Sequence, residues 1–157
     1  MNKTVAWMAA AAALALNGGI AAAAGKPDAM MAADSMKWED GPAPGTHVVK
    51  LWGDMMKGGP YGVLVKFDAG LMHELHHHTH TLKIVVLSGT FLMTPEGGTE
   101  SRLGPGSYLE SRGKNKHVSG CAPGAECEFF MSSDAKFDMI EEKAAQKKDA
   151  PAAEKKK

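Results

Sequence analysis

The sequence predicts an all-β domain, a barrel or sandwich of short strands, on three observations. Runs rich in β-branched and aromatic residues recur along the middle of the chain, Gly, Pro or Asp bounds them, and nothing between them repeats at the helical period.

In chain order, His47–Trp52 stops at Gly53-Asp54, and Gly62–Phe67 stops at Asp68-Ala69-Gly70. Lys83–Leu87 stops at Ser88-Gly89, and Thr90–Thr94 stops at Pro95 with Gly97-Gly98 beyond. Ser107–Leu109 follows Gly104-Pro105-Gly106, and Glu126–Met131 closes the set. The breakers act physically: Gly accepts φ > 0, Pro removes a ladder donor, and Asp bonds its own backbone. No internal repeat is evident.

The 157 residues suit one domain, and 44% hydrophobic residues suffice for one core. Eighteen basic residues balance eighteen acidic ones, so nothing supports a wholesale nucleic-acid binder.

The first 24 residues read as a secretory signal. Lys3 supplies the charge, Val5–Leu16 the apolar part, and Ala21–Ala24 the small residues before cleavage near Ala24. A membrane anchor is the competing reading, but Val5–Leu16 is short of the roughly 20 residues a spanning helix needs. The chain is thus expected to be periplasmic or secreted. Residues 25–44 show no clear period and are expected to form a poorly ordered arm, with a short helix as the alternative. The domain proper is expected over 45–140. Residues 141–157, where four acids interleave with six lysines and no large apolar side chain occurs, are expected to be a charged disordered tail.

Export bears on Cys121 and Cys127, the only two cysteines. In an oxidising compartment they are expected to form a disulfide. Pro123-Gly124 between them suits the centre of a type II turn, which would set the pair across a hairpin. A redox switch is the alternative and needs an exposed thiol of lowered pKa.

Five of the seven histidines lie within residues 73–80. Neutral imidazole is the commonest metal ligand in proteins, and residues two apart on a strand share a face. His76 and His78 can therefore clasp one ion from a single strand, with His77 pointing the other way. His73-Glu74-Leu75-His76-His77 also fits the H-E-x-x-H pattern of zinc proteases, which works only on a helix. Gly70 just before, Thr79 and Thr81 after, and the β-forming Ile84-Val85-Val86 leave little room for one. A surface tract that binds metal loosely is the remaining reading.

Gly70 is followed after five residues by His76, then one residue on by His78, with Gly89 further along. Gly106 is followed after five residues by Arg112, then Lys114 and His117. These are the spacings of the two cupin motifs, and the chain resembles a single-domain cupin from about Val48 to Phe137. Leu51-Trp52-Gly53-Asp54 and Asp134-Ala135-Lys136-Phe137-Asp138 are similar to segments of a group of small cupins. The resemblance implies a double-stranded β-helix, or jelly-roll barrel. It also implies that His76, His78 and His117 ligate a divalent transition metal: Zn, Fe, Ni, Cu or Mn. The chain departs from the pattern at four places. Leu82 stands where the first motif has Glu, Arg112 and Lys114 where the second has Pro and Gly, and Cys121 where it has Asn.

His73, Glu74 and His80 are candidate substitutes for the missing carboxylate, each an outer-shell or exposed group in its ordinary role. Phe67, Leu82, Val85, Phe91, Phe129 and Met131 are expected to line the barrel. Three neutral ligands leave coordination positions open and the ion's charge uncompensated, which favours a small-molecule or anionic ligand. One reading is a metal-dependent enzyme of dioxygenase-like chemistry. A second is a non-catalytic cupin that binds or senses metal or ligand. A purely structural barrel is disfavoured, because an unpartnered buried imidazole is costly. Exposed edge strands leave a homodimer open as an assembly.

Overall fold

The computed structural model describes residues 27–142. The expected signal segment 1–24 and the tail beyond residue 142 lie outside the described residues. Residues 27–31 carry no regular structure, and the β unit begins at Ala32. No helix among the described residues is long and apolar enough to cross a membrane.

Eleven strands follow: β1 (Glu39–Asp40), β2 (Thr46–Trp52), β3 (Tyr61–Phe67), β4 (His76–His77), β5 (Leu82–Ser88), β6 (Phe91–Pro95), β7 (Ser101–Leu103), β8 (Tyr108–Ser111), β9 (His117–Cys121), β10 (Cys127–Ser133) and β11 (Ile140–Glu141). They form two antiparallel sheets, ordered β1-β2-β3-β10-β5-β8 and β11-β4-β9-β6-β7. The expected all-β jelly-roll is therefore the fold, and each of the six sequence runs coincides with a strand to within two residues.

Two expectations about the ends change. The supposed arm 25–44 contains a single 3-10 turn at Ala33–Ser35 and then β1, which pairs with His47 and Val48. Glu141, assigned to the tail, belongs to β11 and pairs with His76. Both strands are two residues long, too short for a period to register in sequence.

β10 shows why the fold closes. Its residues alternate buried and half-buried along the whole strand, so Cys127, Phe129, Met131 and Ser133 face inward. Phe129 opposes Val65 on β3 and Val86 on β5, and Met131 opposes Val63 and Ile84. Phe67 and Phe91 meet the Phe129 ring edge-on at 5.0 and 5.1 Å, the arrangement aromatic quadrupoles favour. Burying each such side chain contributes about 1.5–3 kcal/mol. The turn between β5 and β6 requires Gly89: its φ is +73°, and an added Cβ would lie 2.3 Å from the Glu126 carbonyl oxygen.

Val85 does not line the interior as expected. Leu82, Ile84 and Val86 take the inward positions of β5, so Val85 faces outward between Phe130 and Tyr108. Period-two alternation decides this, and hydrophobicity alone does not tell the two faces apart.

The Cys121–Cys127 disulfide is present, with both residues fully buried and their Cα atoms 5.7 Å apart. The expected hairpin is not. β9 lies in the five-stranded sheet and β10 in the six-stranded one, so the bond joins the two sheets across a crossover turn. Gly124 supplies the positive φ, +104°, that this turn needs. Closing so short a loop removes denatured-state entropy worth about 2 kcal/mol. The double variant Cys121→Ala/Cys127→Ala should therefore lose about 2 kcal/mol in urea unfolding, and an unchanged midpoint would show that the bond is dispensable to the sheet contact.

Candidate metal centre

Three imidazoles converge inside the barrel. His76 lies on β4, His78 immediately follows it, and His117 opens β9, directly opposite His76 in the antiparallel pairing. All three are buried: His76 is 1% exposed, His78 7% and His117 4%. One donor nitrogen from each lies within 4.8 Å of the other two, and no other described His, Cys, Asp or Glu joins the group.

The backbone sets which nitrogen faces inward. Nδ1 of His76 donates to the Glu74 carbonyl at 2.7 Å, Nδ1 of His78 to the Asp138 carbonyl at 2.5 Å, and Nδ1 of His117 to the Asn115 carbonyl at 2.9 Å. A carbonyl only accepts, so each Nδ1 carries the proton and each Nε2 keeps a free lone pair. This is the outer-shell arrangement that orients metal-bound histidines. The donor set thus fits a divalent transition metal: three neutral nitrogens, one tautomer, and a cavity of about 210 Å³ beside them.

Burial lowers the pKa of all three, and the neighbouring imidazoles add to the effect. The shift is largest at His78, pushed down to about 4. Desolvation dominates because the surrounding walls are Ile84, Phe91, Met93, Phe129 and Phe137.

The candidate substitutes stay apart. His73 is half-buried on the cavity wall, with its ring edge-on to Phe67 at 5.0 Å, but it is not one of the converging donors. Glu74 and His80 are exposed. Leu82 is 3% exposed and lines the cavity, so an apolar side chain occupies the wall at the position where the first cupin motif has Glu. His77 points away from the site and bonds Glu142 at 2.8 Å through Nδ1. No helix forms over residues 73–77, which removes the protease reading.

Sequence reasoning missed the C-terminal strap. The Asp138 carboxylate accepts from the backbone N–H and the hydroxyl of Thr79, at 2.8 and 2.5 Å, while its carbonyl holds His78. Glu142 bonds His77, pairs with Lys116 at 3.1 Å and donates its backbone N–H to the Leu75 carbonyl. The segment Asp134–Asp138, quoted above for its resemblance, is the signal that pointed there.

Lys114 is the single non-glycine among the described residues with a left-handed backbone, φ +68°. It stands where the cupin pattern has Gly, and its N–H donates to the His78 carbonyl at 2.7 Å. A left-handed L-residue costs roughly 1–2 kcal/mol.

The fold and this site define the class: a cupin with three inward histidines. The chain belongs to the family described as the ChrR cupin-like domain, whose model matches residues 26–136. Among solved structures, it is similar to the polyketide cyclase RemF from Streptomyces resistomycificus, at 18% identity and TM-score 0.64, over 76% of this chain and 89% of that one. It is also similar to KdgF from Halomonas sp., at 22% identity and TM-score 0.55, over 69% and 94% of the two chains. A third likeness is to a chain in the structure of Rhodobacter sphaeroides SigE in complex with the anti-sigma ChrR: 18% identity, TM-score 0.52, over 66% of this chain and 51% of that one. These structural likenesses establish fold alone. No curated protein matches the chain.

Lys114→Gly should stabilise the protein by about 0.5–1 kcal/mol, the relieved backbone strain less the added entropy of the unfolded chain; thermal unfolding reads this, and destabilisation would contradict it. The pH response follows from the lowered histidine pKa values. Between the unfolded value of 6.5 and the folded value of about 4 at His78, the unfolded chain binds more protons, so stability falls as pH falls. Above 6.5 both states are neutral there and the contribution is constant. Metal-free protein should lose about 2 kcal/mol from His78 alone between pH 7 and 5. His78→Gln should flatten that slope, and an equal slope in the variant would refute the assignment.

Proposed function

We propose that this is an exported metal-binding cupin. His76, His78 and His117 hold one divalent transition metal, whose open coordination positions take a small-molecule or anionic ligand. The observation that carries this reading is the convergence of three Nε2 lone pairs, each aimed by a backbone carbonyl on the other side of its ring. When bound, such an ion acts as a Lewis acid on whatever occupies its open positions. The chain's own part is to keep the imidazoles neutral, exclude bulk water with apolar walls, and leave His73 half-buried beside the site as a proton acceptor. Burial holds the His73 pKa below its ordinary value, so the ring is unprotonated at neutral pH.

The second reading is a cupin that binds or senses without turnover, supported by the family description and by the sparse acid–base equipment of the cavity. Besides the histidines, Asp138 is the ionisable group on its lining, and both its oxygens are engaged by Thr79.

Untagged protein reconstituted with zinc should carry close to one equivalent by mass spectrometry, and His76→Ala/His117→Ala should carry less than about a tenth of that, given the affinity of three-His sites. Equal uptake by that double variant and the parent, or no uptake by either, would overturn the proposal. Broad turnover assays on the loaded protein separate the enzyme from the sensor.

A further inference from the structure

We infer that the ligand completing this centre is a small carboxylate with an apolar body the size of a single ring, such as an aromatic monocarboxylate. The inference rests on the metal-binding reading above and adds to it the chemistry of the occupant.

Charge comes first. The three imidazoles are neutral, so they leave a divalent ion's charge whole. The wall next to them offsets no more than half of it, through the single carboxylate of Asp138. Leu82, Ile84, Met93 and Met131 face the same cavity, and Asp138 has both carboxylate oxygens committed to Thr79. No Lys or Arg lines the cavity, so a bound ion is the one fixed cation that an incoming anion would meet there. An uncompensated charge among apolar walls is costly, and the ligand that relieves it is an anion.

Shape and polarity then set the rest of the molecule. The cavity is about 210 Å³, and an apolar cavity of about 150 Å³ is enough to take benzene. One ring or a branched chain fits beside the ion. Phe67, Phe91 and Phe129 present buried aromatic surface to it.

Two polar side chains remain to orient the anion. Ser111 and Ser119 line the cavity, are 6% and 5% exposed, and their hydroxyls make no hydrogen bond among the described residues. Ser119 lies two residues after His117 on β9 and therefore on the same face. Its hydroxyl is a donor beside the metal ligands, suited to the carboxylate oxygen that the ion does not take. Thr46, the other hydroxyl on the lining, already bonds the Ala43 carbonyl at 2.6 Å.

The probe is benzoate, added to the untagged full chain loaded with cobalt(II), whose visible absorption reports its coordination. Benzoate should change the cobalt spectrum and bind at least tenfold more tightly than acetate, which lacks the ring, or benzamide, which lacks the charge. Ser119→Ala should weaken benzoate several-fold while cobalt uptake stays stoichiometric. Leu82→Glu should take up cobalt yet bind benzoate at least tenfold more weakly than the near-isosteric Leu82→Gln, because the wall then supplies the negative charge. Failure of the parent protein to take up cobalt would defeat the metal reading and this inference with it. Full uptake with benzoate no tighter than acetate or benzamide would overturn this inference alone, and so would equal benzoate affinity in Leu82→Glu and Leu82→Gln.

Discussion

The structure depends on one constraint: three imidazoles are buried in an apolar cavity, and each must place its ring N–H on a partner. Backbone carbonyls of Glu74, Asn115 and Asp138 meet that demand. Because the carbonyls belong to the chain itself, the tautomer of every ring follows from the fold rather than from any further side chain. The opposite nitrogens are then left facing a common space, and the same burial that lowers the histidine pKa values keeps those lone pairs available at neutral pH.

The two sheets divide the labour. The six-stranded sheet brings the packed interior, where β10 sits between β3 and β5 and carries Phe129 and Met131 inward. The five-stranded sheet brings the donors, with β4 and β9 neighbours so that His76 faces His117. The Cys121–Cys127 bond joins these halves at the end of β9, four residues beyond His117. A covalent link at that point holds the donor-bearing strand against the core without passing through the cavity.

Two features near the site run against local preference and are held by their surroundings. Lys114 keeps a left-handed backbone and bonds the His78 carbonyl. β4 is only two residues long, and its partner β11, with Asp138 before it and Glu142 after it, holds it in register. A strand so short makes few ladder bonds of its own, so its neighbours supply its order. Strain and borrowed order of this kind concentrate where geometry matters more than stability.

Much of this was legible in residue order alone. Alternating apolar runs and their Gly and Pro boundaries foretold six strands, because period and turn chemistry are local. The i, i+2 spacing of His76 and His78 placed two donors on one face for the same reason, and the spacing up to His117 added the third through its resemblance to a known pattern. The short strands β1, β4 and β11 left no period to read. Val85 faces outward against expectation because hydrophobicity does not say which face is inside, and the cysteines bridge two sheets rather than a hairpin because sequence separation does not say which sheet a strand joins. Asp138, sixty residues from His78, comes beside it only through β11. Residue order therefore determined the strands and the donors, since both follow from neighbours along the chain. Only tertiary folding decided which nitrogen each histidine turns inward and that an apolar wall stands beside them, since both depend on groups that meet across two sheets.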